Sequence, residues 1–146
     1  MKEIIGNIWD YHKGDDYIVI PTNGTIKKNG ELVMGRGLAL QAKLRYPELP
    51  LFLGKLVSDF GNHLFRLDQY KLLSFPVKDN WWEVASLELI EESTKQLAGS
   101  IGLASGIRGN IYLPRVGCGN GKLSWSQVKS ILEKCLLDDR FIVVSL

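Results

Sequence analysis

Apolar positions along the chain gather in short runs more than in strict alternation. Tyr17 to Ile20, Lys71 to Phe75, Ile111 to Leu113 and Phe141 to Val144 each read as a strand covered on both faces. Lys2 to Ile5 reads as a further strand with a weaker pattern. Between these runs the apolar spacing changes to three and four residues, the period of a helix with one buried face. Leu87, Ile90, Thr94, Leu97 and Ile101 share such a face, and Gly106 is a suitable stop for that helix. Val128, Ile131, Leu132, Cys135 and Leu136 form the stripe of a last helix. Ser124 and Gln127 fit a capping box at its start, in which each side chain satisfies a free amide of the first turn. Residues 38–46 and 48–59 are two further helices, with Pro47 as the break between them.

Strands that alternate with helices predict an α/β layered fold with a largely parallel sheet. In such sheets ligands bind beyond the carboxyl ends of the strands. Two glycine-rich stretches each follow a predicted strand and lead into a predicted helix, so both belong at that edge. The first is "PTNGTIKKNGELVMGRGLALQ", residues 21–41, and the second is "LPRVGCGNGKLSW", residues 113–125. Asn23 and Gly24 make a common turn pair. Gly35 and Gly37 let backbone amides approach an anion at a helix N-terminus. A dinucleotide fingerprint fits badly, because Leu40 stands where the third glycine belongs and a long loop separates the strand from the glycines. In the second stretch Gly121-Lys122 looks like the end of a P-loop, but Val116 replaces its first glycine and Leu123 its Ser or Thr. What remains is a turn whose amides can point inward as an anion nest, or a tight strand-to-helix connection with no ligand.

Composition narrows the partners. A chain of 146 residues favours one domain over 1–146, and a net charge of +2 leaves room for a local basic patch rather than a general nucleic-acid binder. The opening "MKEIIGNIWD" has no long apolar segment, so neither a signal peptide nor a membrane anchor is expected. Cys118 and Cys135 lack paired-ligand spacing, and the two histidines are His12 and His63. A cytoplasmic protein with free thiols is therefore expected, with no protein-built metal site and no cofactor. Cys118 has no recognisable base partner and reads as a small side chain between glycines rather than a nucleophile. In "SFPVKDNWW", residues 74–82, Lys78 follows a strand toward the same edge as the glycine loops. It is either solvated or part of a diphosphate site. Trp81 and Trp82 read as packing residues ahead of base platforms.

Taken in order, "YIVIPTNG" with "ELVMGRGLALQAKLRYPEL", "FPVK" and "LPRVGCGNGKLSW" resemble the macrodomain family across nearly the whole chain. That resemblance implies a three-layer fold, with a mostly parallel mixed sheet between helices on both faces, that binds ADP-ribose. It resembles in particular the branch that removes ADP-ribose from nucleic-acid or carboxylate adducts, in which a Phe-Pro-Thr-Lys-like segment supplies a catalytic lysine. The resemblance places Lys78 and Asn23 in catalysis, with Asn23 at the distal ribose. It places Gly35, Arg36 and Gly37 beside the ribose and diphosphate. It implies that Gly117, Cys118, Gly119, Asn120 and Gly121 wrap the phosphates through their backbone amides, with Pro114 and Val116 also at the ligand.

Two positions depart from the family pattern. Asn7, with Ile8 beside it, stands where the family often carries an aspartate that accepts a bond from adenine, and an amide oxygen accepts without charge. Gly121 stands where the carboxylate-adduct branch carries an aspartate within the loop, which turns the resemblance toward the DNA-adduct type. The function so implied is hydrolytic release of ADP-ribose from a modified macromolecule, here nucleic acid and most simply a single strand, with no membrane partner. A non-catalytic reader of ADP-ribose or a related nucleotide uses the same loops, and a phosphatase for ADP-ribose 1″-phosphate is a third reading.

Overall fold

The computed structural model describes residues 1–102 and 104–146. Its centre is a six-stranded sheet of β1 (Lys2–Ile5), β2 (Tyr17–Thr22), β3 (Phe65–Leu67), β4 (Leu72–Pro76), β5 (Ile111–Leu113) and β6 (Phe141–Ser145). The spatial order is β1-β6-β5-β2-β4-β3. All neighbours run parallel except β3, which pairs antiparallel with β4 at the edge.

The unbroken apolar runs have a physical reason. Along each central strand, successive side chains enter two different cores. Tyr17, Val19, Leu73, Phe75, Ile111, Leu113, Phe141 and Val143 belong to one. Ile18, Ile20, Leu72, Tyr112, Ile142 and Val144 belong to the other. Helices α3 (Leu87–Ala98) and α4 (Trp125–Cys135) cover the first face through Ile90, Leu97, Val128 and Leu132. Helices α1 (Gly37–Arg45) and α2 (Leu49–Phe60) cover the second through Ala42, Leu49 and Leu53. Each large side chain fully buried this way contributes about 1.5–3 kcal/mol. The result is the three-layer α/β arrangement.

Three local expectations are corrected. Helix α3 ends at Ala98, well before Gly106, which lies in a loop at φ +77°. Both the amide and the hydroxyl of Ser100 bond the Leu97 carbonyl, at 3.0 and 2.6 Å, and this closes the helix. Ile101 still packs on the core, but from beyond the helix. At α4 the capping box does not form. The Ser124 hydroxyl donates to Gln127 Oε1 at 3.1 Å and bonds no amide of the first turn. Cys135 is half-buried rather than fully in the core. The sequence pattern also passed over β3 and a 3-10 turn at Ile8–Tyr11.

Parallel pairing has one consequence for function. The ends of β1, β2, β4, β5 and β6 all reach the same edge of the sheet, and the loops that leave them converge there.

Candidate ligand-binding site

At that edge lies a cavity of about 1000 Å³. It gathers Asn7, Ile8, Asn23, Gly35, Arg36, Gly37, Lys78, Pro114, Gly117, Gly119, Asn120 and Gly121. Val116 and Cys118 do not line it. The tight turn after β5 sends these alternate side chains down onto the core. Val116 is fully buried there. Cys118 is half-buried, its Sγ is 3.5 Å from the Val116 carbonyl, and burial pushes its thiol pKa up. The thiol is therefore less available as a nucleophile, in keeping with its reading as a packing residue.

The second glycine loop is shaped by its own backbone. Cys118 donates to the Arg115 carbonyl at 3.1 Å, Lys122 to Gly119 at 3.1 Å, and Leu123 to Gly117 at 2.9 Å. Gly117 has φ +76°, and a Cβ there would meet Ile90 Cδ1 at 2.7 Å. A Cβ at Gly121 would lie 2.5 Å from the Gly117 oxygen and 2.7 Å from the Ala85 Cβ. Both positions exclude a side chain. Among the described residues, the amides of Gly119, Asn120 and Gly121 have no acceptor. Free amides at a concave, glycine-lined turn can bind an anion.

The first glycine loop is held by side chains. Asn23 Nδ2 donates to the Val33 carbonyl at 3.0 Å, and Asn23 Oδ1 accepts from the Thr25 amide at 2.9 Å. One amide proton of Asn23 remains for a ligand. Past this loop α1 begins at Gly37, and its cap residue Arg36 makes no side-chain bond to the first turn. The helix therefore opens uncapped onto the cavity, where Gly37, Leu38 and Ala39 line the wall. A Cβ on Gly37 would lie 3.2 Å from Asn120 Nδ2. The two glycine loops thus touch, and a single ligand can engage both.

Lys78 follows β4 and is half-buried. Its Nζ donates to the Glu83 carbonyl at 3.2 Å. Burial, followed by the nearby positive charge of Arg36, lowers its pKa from the ordinary value of 10.5. Lys122 acts in the same direction, and Glu83 opposes it. Arg36, Lys78, Arg115 and Lys122 line the cavity with Glu83 as the acid among them, so the site favours an anionic ligand.

No family model matches the chain. It is similar to a DNA ADP-ribosyl glycohydrolase of Mycobacterium tuberculosis, with 35% identity over 117 residues that cover 68% of this chain and 30% of that protein. It is similar to a DNA ADP-ribosyl glycohydrolase of Thermus aquaticus, with 31% identity over 113 residues, 71% of this chain and 31% of that one. The structure matches the macrodomain of Thermus aquaticus DarG at a TM-score of 0.77 and 26% identity, over 99% of this chain and 97% of that chain. The chain is a macrodomain.

The matched part of this macrodomain spans about a third of the curated relatives' length. Some residues that line the cavity or support its wall carried no sequence signal. Asn62 lies on the loop after α2, and its Nδ2 bonds the Lys78 carbonyl at 3.2 Å and Asp79 Oδ1 at 3.1 Å. It fastens the lysine's segment from sixteen residues away. Arg115 and Lys122 also line the cavity; Lys122 drew attention only in the comparison with a P-loop, and Arg115 drew none. At the β1 end, Asn7 Oδ1 accepts from the Trp9 amide at 3.0 Å and so caps the 3-10 turn while lining the cavity. Trp81 and Trp82, expected to pack, are instead exposed at the cavity. Among the described residues no helix is long and apolar enough to cross a membrane.

Proposed function

We propose that this macrodomain, folded as one domain over residues 1–146, binds ADP-ribose and hydrolyses the bond that joins it to nucleic acid. The observation that carries the reading is the meeting of a free-amide cradle and a half-buried lysine in one cavity. The diphosphate is held by the amides of Gly119, Asn120 and Gly121 and by the open N-terminus of α1. Gly35, Arg36 and Gly37 border the distal ribose, and the remaining amide proton of Asn23 orients it. Asn7 and Ile8 mark the adenine end. These donors are ordered before the ligand arrives, so little reorganisation opposes binding.

In the reaction, water adds to the anomeric carbon and the bond to the modified nucleotide breaks. The bonding electron pair leaves with the nucleotide, and the water's proton is released. The bond breaks through an oxocarbenium-like state, so placement and electrostatics matter more than a strong nucleophile. The Lys78 ammonium stabilises charge that develops on the departing group. A modified base held in a duplex cannot enter a cleft of this kind without being extruded, which favours a single strand. Two free thiols suit a reducing, cytoplasmic setting.

The names of the curated relatives support this reading. The test is side-by-side incubation with ADP-ribosylated single-stranded DNA, RNA and protein, scoring free ADP-ribose. Release from DNA in excess of the others is expected. No release from any substrate, with ADP-ribose still bound, would make the macrodomain a reader.

A further inference from the structure

The segment between β4 and α3 presents more than Lys78. Trp81 and Trp82 are 47% and 64% exposed. Their ring centroids are 5.9 Å apart and their planes meet at 89°. Two adjacent indoles left partly in water, with Val84 exposed beside them, form an apolar surface patch, and such patches commonly mark binding surfaces. The segment is nonetheless pinned. The Trp81 amide donates to Thr25 Oγ1 at 3.1 Å, and the Asn80 amide donates to Glu83 Oε1 at 2.7 Å. The Gly24 amide bonds the Asp79 carbonyl at 2.8 Å, which ties this segment to the first glycine loop. The nearby acids are engaged: Asp79 by Asn62, and Glu83 by the Asn80 amide. The cations Lys78, Arg36 and Lys122 line the same cavity.

Aromatic faces on a pinned backbone, in one cavity with cations, match a base together with its phosphate. We infer that Trp81 and Trp82 form a stacking platform for unpaired nucleobases of the strand that carries the adduct, an inference that rests on the reading of the cavity as a nucleic-acid de-ADP-ribosylation site. Because the rings are perpendicular, two successive bases lying flat on them are turned relative to each other. A single strand makes that turn, and a stacked duplex does not. The platform accepts any sequence, since every base has a π-face.

The test measures anisotropy of a labelled, unmodified single-stranded oligothymidylate with wild type, Trp81→Ala, Trp82→Ala and Trp82→Phe, and calorimetry of free ADP-ribose with the same proteins. Both alanine variants should lose on the order of tenfold in oligothymidylate affinity. Trp82→Phe should keep most of it, a duplex of the same sequence should bind weakly throughout, and free ADP-ribose should bind all four proteins alike. Unchanged oligothymidylate binding in both alanine variants overturns the platform, as does wild type that fails to bind the strand. A matching loss of ADP-ribose affinity overturns it too, because the rings would then belong to the ADP-ribose cradle. Equal dependence on Trp82 for an ADP-ribosylated peptide would assign the rings to a protein partner. These readouts do not require turnover, so the platform is decided separately even where wild type releases no ADP-ribose.

Discussion

The Pro114–Lys122 loop and the Val77–Glu83 segment line one cavity with different chemistry. The first offers backbone amides around three glycines, of which Gly117 and Gly121 have no space for a side chain while Gly119 faces open space. The second offers a lysine and two indoles, held in place by bonds from Thr25, Asn62 and Asn80. Backbone donors do not titrate and survive any side-chain truncation; they are most simply obstructed. Side-chain groups can be deleted one at a time, and the lysine responds to pH. On the proposed function, the glycine loop holds ADP-ribose while the segment after β4 carries the chemistry and meets the strand, and this contrast can be broken from either side.

The largest effect belongs to obstruction of the cradle. A Cβ on Gly119 meets nothing within 4 Å among the described residues, so Gly119→Glu should fold and send a carboxylate toward the phosphates. ADP-ribose affinity should fall from the micromolar range to beyond millimolar, about 4 kcal/mol, by calorimetry. Wild-type affinity in a folded variant would reduce the loop to a turn.

Next is Lys78→Ala. Turnover of ADP-ribosylated single-stranded DNA should fall about a hundredfold, roughly 2.7 kcal/mol, with ADP-ribose affinity kept within about tenfold. An equal loss in both would move Lys78 into ground-state binding and erase the contrast. In wild type the ammonium persists below its pKa. Activity should therefore hold at neutral pH and decline as pH rises through a value below the ordinary 10.5, because burial and Arg36 lower it. A rate unaffected up to and beyond pH 10.5 would remove the charge from the mechanism.

The smallest effect concerns stability. Gly121→Ala should cost about 1–3 kcal/mol, because its Cβ meets the Gly117 oxygen and Ala85. Gly119→Ala, with open space, should melt like wild type. Equal melting temperatures for the two would show that the loop is not close-packed.

The strands were legible because burial on both faces writes itself as an apolar run: β5 falls on Ile111–Leu113 as expected, and β2 and β6 extend the expected runs by one or two residues. Short β3 was not legible, since Arg66 is exposed at its centre and three residues give no pattern. The end of α3 was misplaced because Ile101 keeps the apolar rhythm while Ser100 takes the Leu97 carbonyl. At the site, loop positions could be read from glycine spacing. The partly buried side chain of Cys118 could be read there too, whereas the turn of Val116 down onto the core could not. Asn62 joins the site through a fold-level contact that leaves no local trace.

The crowding at Gly121 also constrains how this macrodomain can change. The resemblance to the protein-adduct branch differs at this position, where that branch carries an aspartate. Replacing residue 121 alone would force a side chain against the Gly117 peptide and the Ala85 methyl, so the first step of that route loses stability. Laboratory evolution toward protein adducts therefore has to start beneath the loop, by making room at Ala85 and shifting the Gly117 peptide, before an acid at 121 can be selected at all.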